Sequence, residues 1–243
     1  MAPKYAARIA KSVADLRRVQ ALRAEVFRGG KSDADSTDLR CTHILIEENG
    51  TGRAVCVFRL QAFESGAKIG QSYAATLYDL TRLQSYEGKL LEIGRFCIDP
   101  RDQDPDILRL AWAVLAAYVD QNRIGLLFGC SSFSGANPKA HLEAFTRLKA
   151  RHLAPRRFSP EIKAPEVFRF SRLETMPNES NGQIAQPPLL RSYLSMGAWV
   201  SDHAVLDRDL GTMHVFTGLE IAAIPARRKR LLRAAGRALG PLA

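Results

Sequence analysis

The stretch Leu90-Leu91-Glu92-Ile93-Gly94-Arg95-Phe96-Cys97-Ile98-Asp99 is an apolar run that carries charged side chains, and Pro100 follows it. A run of this length next to a proline predicts a buried strand. Asp106 is then placed to cap a helix over residues 107–122, which is apolar on almost every side. Residues 124–133 predict a second buried strand. This β-α-β order places the helix and both strands in the core of the fold.

The flanking segments add elements on both sides of this core. Ser12 is placed to cap a helix that Gly29 ends, with apolar residues at helical spacing between them. Residues 43–48 and 54–61 predict two strands, and residues 138–150 a helix. Residues 211–219 predict a last strand. The order α, ββ, β-α-β-α, β predicts one α/β or α+β domain with a mixed sheet.

The composition is that of a soluble globular protein. The chain has 243 residues, 46% of them hydrophobic, and its 35 Lys and Arg against 25 Asp and Glu give a net charge of +10. The longest apolar run, residues 107–119, contains Arg109 and is shorter than the roughly 20 residues that span a bilayer. Residues 1–28 lack the apolar stretch of an export signal, so we expect a cytoplasmic protein. The positive charge predicts an acidic partner.

The four cysteines predict neither a disulfide framework nor a zinc site. Cys41, Cys56, Cys97 and Cys130 lie far apart and form no CxxC pair. Reduced thiols in a cytoplasmic protein are the ordinary interpretation. We expect no metal ion.

Charged residues inside the predicted strand at 90–98 need an explanation. Strict alternation predicts that Glu92, Gly94 and Phe96 face one side and that Leu91, Ile93 and Arg95 face the other. A buried unpaired charge costs several kcal/mol, so both Glu92 and Arg95 must find partners. One interpretation is an internal ion pair bridged through a bulge at Gly94. The other is a cleft that Glu92 and Arg95 line together with Arg23 and Arg59.

Several motifs in fixed order carry a resemblance to a known family. They are L-R-x-x-V-F at 22–27, D-x-x-C-x-H at 38–43, R-L at 59–60, L-E-I-G-R-F-C-I-D-P at 91–100, L-F-G-C-S-S-F at 127–133, P-P-L-L-R-S-Y-L-S-M-G-A at 187–198 and D-x-D-x-G-T at 207–212. The chain resembles the hemolysin-like acyltransferases from about residue 8 to residue 219. More narrowly, it resembles their ornithine-acyl-ACP N-acyltransferases. That family is similar to the acyl-homoserine-lactone synthases, and both belong to the GNAT superfamily.

The resemblance implies a fold and a reaction. It implies a GNAT-like domain over residues 1–224, with a mixed central sheet flanked by helices. It further implies transfer of an acyl or 3-hydroxyacyl chain from acyl carrier protein to the α-amine of L-ornithine, giving lyso-ornithine lipid. The alternatives are an acyl-homoserine-lactone-type synthase, an N-acyltransferase for another amino acid and, less favoured, a non-catalytic basic membrane-binding module. The sequence does not specify the acyl chain, the amine or the oligomeric state.

Two departures from the family pattern bear on the substrates. Thr42 stands where relatives carry Asp, which removes one acidic contact that Asp38 could replace. Residues 101–106 carry three aspartates instead of the glycine-rich phosphate cradle of CoA-using relatives. Aspartates at a helix N-terminus repel phosphate and complement the helix dipole. The loop thus favours an acyl-phosphopantetheine donor on acyl carrier protein over CoA, with no other cofactor.

Roles for individual residues follow from the resemblance and the chemistry. We expect Glu92 to accept the proton of the attacking amine and Arg95 to orient Glu92 or bind the substrate carboxylate. Substrate recognition is predicted for Arg23, Phe27, Asp38, His43 and Arg59. Binding of the acyl donor and its oxyanion is predicted for Phe96, Cys97, Ile98, Cys130 and Ser131. A covalent acyl-enzyme on Cys130 or Ser131 is an alternative that no Ser-His-Asp spacing supports.

The C-terminal tail, residues 225–243, carries six basic residues and no acid. A helix there would place Leu231, Leu232 and Ala235 on one side and Lys229, Arg230, Arg233 and Arg237 on the other. Such a helix is suited to the anionic inner surface of the cytoplasmic membrane, where the protein would be peripheral. The predicted membrane contacts are Arg227, Arg228, Lys229, Arg230, Leu231, Leu232, Arg233 and Arg237. A solvated tail is the alternative, and no nucleic-acid motif is present.

A second basic segment lies between residues 139 and 163. It contains Lys139, Arg147, Lys149, Arg151, Arg156, Arg157 and Lys163. Acyl carrier proteins are acidic, so this surface is predicted to dock one and to accelerate the encounter. The alternative is an ordinary solvated basic face.

Overall fold

The computed structural model describes residues 3–173 and 186–238, and the chain divides into two compact units. The first unit consists of Met1–Ala62, Leu91–Ile124 and Pro225–Ala243. The second unit consists of Phe63–Leu90 and Gly125–Ile224. Each unit therefore combines segments that are distant in sequence.

The helices and strands follow the predicted order closely. In chain order they are β1 (Tyr5–Ile9), α1 (Val13–Arg28), β2 (Thr42–Glu48), β3 (Ala54–Phe63), α2 (Ala74–Leu77), β4 (Tyr78–Asp79), β5 (Lys89–Ile98), α3 (Pro105–Asn122), β6 (Ile124–Ser134), α4 (Leu142–Arg151), β7 (Glu161–Ile162), β8 (Val167–Arg169), α5 (Pro188–Leu194), β9 (Trp199–Val200), β10 (His203–Asp207), β11 (Thr212–Glu220) and α6 (Ala226–Ala238). The predicted β-α-β segment is confirmed as β5, α3 and β6, but Asp104 and not Asp106 caps α3, which begins at Pro105. The predicted helix over 138–150 begins instead with a 3-10 turn, Pro138–His141, before α4.

In the first unit, α1 packs on the sheet formed by β1, β2, β3 and β5. The antiparallel pairing of β2 with β3 sets His43 opposite Arg59. Val19 and Leu22 of α1 pack with Val57 and Cys97. The side chains of β3 and β5 that point toward α1 therefore lie near Arg23. Arg23 belongs to α1, and it is completely buried.

Local signals explain where α1 begins and ends. The Ser12 hydroxyl accepts from the backbone N–H of Asp15, and the Asp15 carboxylate accepts from the backbone N–H of Ser12, which completes a capping box. Gly29 closes the helix at φ 56°, a left-handed conformation that glycine adopts without steric cost. These caps confirm the helix that the sequence predicts.

The second unit is built on an antiparallel sheet with the order β6-β11-β10-β8, and β9 also pairs with β11. One face of this sheet is covered by stacked aromatic rings. Trp199 lies 5.8 Å from Phe216 and 6.1 Å from Phe158, measured between ring centroids. Gly218 lies under the Trp199 ring, and a Cβ there would come within 2.4 Å of ring atoms.

Helix α6 packs against α3 in the first unit through Gly236. A Cβ on Gly236 would lie 3.1 Å from the Ala113 carbonyl oxygen and from the Ala117 nitrogen, so the two helices approach closely. Leu232 is half-buried, whereas Leu231 is 64% exposed. The apolar side predicted from the sequence is therefore divided between a half-buried and an exposed leucine, and its predicted membrane contact stays a prediction. Residues 239–243 of the predicted tail lie outside the described residues.

No helix within residues 3–173 and 186–238 combines the length and apolarity that crossing a membrane requires.

Replacing Gly218 by Ala should destabilise the protein by about 1–3 kcal/mol, because the buried Trp199 ring occupies the space that the new methyl group needs. Urea unfolding monitored by fluorescence measures this change. Gly70→Ala is the matched control, since Gly70 is exposed and no atom lies within 4 Å of its Cβ position. Equal midpoints for the two variants would contradict the prediction.

Candidate active site

Arginines from α1, β3 and β5 converge on the loop that joins α1 to β2. We call the group the arginine–aspartate cluster, and its members are Arg23, Arg59, Arg95, Asp33, Asp35 and Asp38. All six belong to the first unit. The sequence predicts a common site for the three arginines and Asp38, and the structure brings those four together.

The Asp33 carboxylate lies at the centre of the cluster and is fully buried. One of its oxygens accepts from Nε of Arg23 at 2.8 Å and from Nε of Arg95 at 2.9 Å. The other oxygen accepts from Nε of Arg28 at 3.1 Å. Three guanidinium groups thus satisfy one buried carboxylate, which offsets the cost of removing these charges from water.

Asp38 links α1 to β3. Its Oδ1 accepts from Arg23 at 2.7 Å and from Arg59 at 2.8 Å, and its Oδ2 accepts from Gln20 at 3.0 Å. Burial by itself would raise the pKa of Asp38, but the hydrogen bond from Arg23 leads the interactions that lower it to about 2. Asp38 is therefore ionised throughout the physiological range.

Asp35 is the most exposed carboxylate of the cluster, with 29% of its side chain accessible. Arg59 donates to both of its oxygens, at 2.7 and 2.9 Å, and Nη2 of Arg95 lies 3.6 Å away. Burial raises its pKa, but the hydrogen bond and charge of Arg59 together with the charge of Arg95 outweigh that effect, so the pKa lies below its ordinary value. Asp35 also caps the 3-10 turn Ser36–Arg40, which fixes the loop in place.

Arg95 adopts a left-handed backbone conformation, φ 51°, in the middle of β5. This conformation is uncommon for a residue with a side chain and costs about 1–3 kcal/mol. The Arg95 side chain reaches Asp33 and lies 5.9 Å from the centroid of the Phe27 ring. These contacts hold the backbone in a conformation that the residue would otherwise leave.

The left-handed residue interrupts the alternation of side chains along β5. A Cβ on Gly94 would lie 3.3 Å from Nε of Arg59, on the side that faces α1. Phe96 stacks on Phe58 at 5.2 Å, and Phe58 faces the opposite side from its neighbour Arg59. The prediction that Gly94 and Phe96 share a face is therefore wrong, as is the placement of Arg95 opposite Gly94. The irregularity lies at Gly94–Arg95, next to the bulge predicted at Gly94, and the positive φ belongs to Arg95.

Glu92 is buried in β5, two residues before Gly94. Burial raises the pKa of the half-buried Cys41 thiol to about 11; Arg59 lowers this pKa and Glu92 raises it. Gly94 faces Arg59, and Glu92 precedes Gly94 by two residues in β5, so the alternation of the strand sets the Glu92 side chain on the same side as Arg59. A carboxylate on this side can accept a proton from an incoming amine.

His43 is buried behind the same loop. Its Nε2 lies 3.0 Å from the Asp38 carbonyl oxygen, and because a carbonyl only accepts, Nε2 carries the proton. Burial lowers the pKa of His43, so the ring is neutral. The structure shows a contact of His43 with the loop backbone, and its predicted role in substrate binding stays a prediction.

The residues predicted to bind the acyl donor lie in different surroundings. Phe96, Cys97 and Ile98 continue β5, and burial raises the pKa of Cys97 to about 12, so this thiol is not a nucleophile. Cys130 and Ser131 lie in β6 of the second unit, where Ser131 accepts a 2.9 Å hydrogen bond from Thr217. Their predicted roles stay predictions.

Asp33, Asp35 and Arg28 belong to the site although no sequence motif indicates them. The loop that carries both aspartates is polar and rich in acid, which is typical of a solvated segment. Three arginines in buried helix and strand positions need anionic partners, and Asp38 and Glu92 supply only two. This shortage of anions is the sequence signal that indicates further acidic residues at the site. Acidic residues of the loop that also carries Asp38 are the candidates.

The predicted docking residues all lie in the second unit and differ in their surroundings. Lys139, Arg147, Arg151 and Arg156 are exposed. Lys149 donates to the Leu173 carbonyl oxygen at 2.9 Å, and Arg157 lies over the Phe158 ring and 3.5 Å from Glu220. Within the described part of the chain, no group of three or more His, Cys, Asp or Glu side chains is placed to hold a metal ion.

Asp38→Asn should destabilise the protein at pH 6 by on the order of 2 kcal/mol and much less near pH 2. The folded pKa of Asp38 is about 2, below the unfolded value of about 3.9, so its contribution exists above pH 4 and disappears as the pH falls toward 2. Urea unfolding of both proteins across this range measures the difference. Glu87→Gln, at an exposed position, should show no such pH-dependent difference from the parent. A constant gap for Asp38→Asn would exclude this role.

Known proteins are similar to this chain in fold and in sequence. A family model described as "Acetyltransferase (GNAT) domain" matches residues 18–113. The structure of FeeM, an N-acyl amino acid synthase from uncultured soil microbes, superposes with a TM-score of 0.54 at 13% identity and covers 90% of this chain and 93% of that chain. The predicted GNAT fold, an α+β domain with a mixed sheet flanked by helices, is confirmed.

Curated relatives extend this similarity over most of the chain. The L-ornithine N(alpha)-acyltransferase of Brucella abortus (strain 2308) is 32% identical, covering 90% of this chain and 85% of the relative. The enzyme with the same name from Rhizobium meliloti (strain 1021) is also 32% identical, covering 90% of this chain and 81% of that relative. The resemblance drawn from the sequence motifs is confirmed, and the chain belongs to the family of the L-ornithine N(alpha)-acyltransferases.

Proposed function

We propose that this protein transfers an acyl chain from a thioester to the α-amine of L-ornithine and so forms the first amide of an ornithine lipid. The observation that carries the proposal is the buried Glu92, two residues before Gly94 on the side of β5 that faces Arg59, in a chain of this family. A buried carboxylate within reach of a substrate ammonium is suited to accept a proton from it.

In the proposed reaction, Glu92 takes one proton from the α-ammonium, which leaves a neutral amine with a free electron pair. The amine nitrogen attacks the thioester carbonyl carbon and forms the C–N bond. Collapse of the tetrahedral intermediate breaks the C–S bond. The second amine proton reaches the leaving sulfur, so the products are an N-acylornithine and the free pantetheine thiol.

Arg95 has two proposed tasks in this reaction. Its left-handed conformation turns the adjoining peptide groups away from the regular ladder, so an N–H near Gly94–Cys97 could stabilise the oxyanion. Its guanidinium, fixed by Asp33, supplies a positive charge on the side of β5 that faces α1, where the substrate carboxylate would bind.

The cluster also offers complementary charges for an amino acid with a second amine. The exposed edge of Asp35 is proposed to accept the side-chain ammonium of ornithine. Arg95 lies 3.6 Å from Asp35 and keeps some exposure, so it could bind the substrate carboxylate. Arg23, Arg59 and Asp38 are completely or almost completely buried, so they position these groups rather than bind substrate directly.

The donor is proposed to be acyl carrier protein and not acyl-CoA. Asp104 caps the N-terminus of α3 and accepts from the Asp106 backbone N–H at 3.0 Å and from Lys4 at 2.9 Å. Asp102 forms a two-pronged pair with Arg53 at 2.7 and 2.9 Å. Carboxylates therefore fill the helix terminus where the several phosphates of CoA would need free donors. The acyl-phosphopantetheine arm carries one phosphodiester.

We further propose that the enzyme acts in the cytoplasm and binds the inner face of the cytoplasmic membrane peripherally. Its product would carry a long acyl chain on a zwitterionic headgroup, which partitions into lipid. The basic residues of α6 supply an electrostatic contact for an anionic surface.

Purified protein incubated with acyl carrier protein charged with 3-hydroxyacyl chains should acylate ornithine in preference to other amino acids, as read by mass spectrometry. Glu92→Gln should lower kcat by about 10²–10⁴-fold, because the amide cannot accept the proton. Glu87→Gln, an exposed substitution of the same kind, should keep full activity. Activity of Glu92→Gln within a few-fold of the parent at every pH would exclude Glu92 as the base. Acylation of homoserine or another amine instead would redirect the substrate assignment.

The double variant Arg147→Glu, Arg156→Glu should raise the KM for acyl carrier protein about tenfold or more with little change in kcat, because both exposed arginines face an acidic partner. We leave Arg157 and Lys149 unchanged because they make intramolecular contacts. The control is Lys11→Glu, Arg17→Glu, which makes the same charge change at exposed positions of the first unit. An unchanged KM in the first variant would remove this surface as the docking site.

A further inference from the structure

Helix α6 is held in one rotational setting about its own axis. Its contact with α3 includes the close approach at Gly236 and a two-pronged ion pair in which Arg233 donates to both carboxylate oxygens of Asp120, at 2.9 and 3.1 Å. Lys229 and Leu232 lie on the same side as these two residues, at helical spacing. The side of α6 that packs on the protein is thus defined.

The opposite side of α6 is exposed and has an unusual composition. Leu231 lies near its centre and is 64% exposed. Arg227 lies one turn before Leu231, and Arg230 and Arg237 flank it along one edge, all exposed. An apolar side chain between arginines is the pattern of a helix that lies in a membrane interface.

The arginines of α6 destabilise the helix in the absence of an anion. Arg227 lies in the first turn, where the helix dipole disfavours a cation. Arg227 and Arg230 are spaced i, i+3, which places like charges next to each other. No acidic residue occurs in residues 225–243. An anionic surface would offset both effects at once.

A groove next to this face adds a place for a headgroup. The open space between α3 and α6 has a volume of about 380 Å³ and is lined by residues that include Ala116, Ala117, Asp120, Arg233, Gly236 and Arg237. Its floor consists of small side chains, and it contains two guanidinium groups against one carboxylate. Asp120 is paired with Arg233, so Arg237 gives the groove its excess positive charge.

We propose that the exposed side of α6 lies flat on an anionic lipid surface. Leu231 enters the boundary of the acyl chains, and Arg227, Arg230 and Arg237 bind lipid phosphates, with one headgroup phosphate in the groove. The inference rests on the proposed function, because it specifies how an enzyme with a lipid product contacts the membrane. The described part of α6 carries no aromatic side chain on which nucleic-acid bases would stack, which favours lipid over nucleic acid.

The test measures binding of the full chain to vesicles of phosphatidylglycerol mixed with phosphatidylcholine, compared with phosphatidylcholine alone. The parent should float with the anionic vesicles and be released as the salt concentration rises. Arg227→Gln, Arg230→Gln, Arg237→Gln should weaken this binding about a hundredfold, since each arginine near the surface contributes about one factor of five. Leu231→Ala should weaken it by a smaller factor on its own.

The control variant Lys11→Gln, Arg17→Gln, Lys68→Gln removes the same charge from exposed positions elsewhere and should bind like the parent. Glutamine retains helix propensity, and circular dichroism and urea unfolding verify that α6 stays folded. Equal vesicle binding by both triple variants, or no preference of the parent for anionic vesicles, would overturn the inference.

Acylation measured without vesicles separates the two proposals. The α6 variant should keep parental kcat for ornithine in free solution while it loses vesicle binding. A raised KM for acyl carrier protein with unchanged vesicle binding would show that α6 contacts the carrier protein instead, and would overturn the lipid assignment. Loss of ornithine acylation in the parent would refute the proposed function while leaving vesicle binding as a separate result.

Discussion

The rest of the site depends on the ion pairs of the buried Asp33 carboxylate. It accepts hydrogen bonds from Arg23 of α1 and Arg95 of β5, and from Arg28 at the end of α1. An unpaired buried charge costs several kcal/mol, so none of these groups can leave without penalising the others. The loop, the helix and the strand are thereby held in one arrangement, and the position of Glu92 follows from the path of that strand.

This ion network also explains why β5 tolerates an unfavourable backbone conformation. The left-handed Arg95 costs free energy locally, and its pairing with Asp33 compensates for that cost. As a result, Gly94 and Arg95 both face α1, while Phe96 stacks on Phe58 on the opposite side of the sheet. The strand can therefore present a carboxylate, a guanidinium and displaced peptide groups on one side, which a regular strand cannot do.

Charge in this protein is used in two distinct ways. In the arginine–aspartate cluster, buried arginines and aspartates neutralise one another and fix geometry. On α4 and α6, most of the basic side chains that are proposed to contact partners are exposed. In α6, the helix dipole disfavours Arg227 in the first turn, and the i, i+3 spacing places Arg227 and Arg230 next to each other. The first arrangement is suited to positioning a substrate, and the second to attracting a partner from solution. The net charge of +10 comes mainly from the second kind of residue.

The sequence by itself determined the order of helices and strands, the caps of α1, the family, and four members of the cluster. These are local signals: hydrophobic period, capping side chains and motif order depend on neighbours in the chain. Only the tertiary structure decided that Asp33 and Asp35 complete the cluster, that Arg95 and not Gly94 is left-handed, and which side of α6 packs on α3. Each of these depends on groups far apart in sequence, because a buried charge or a close helix contact selects its partner in space.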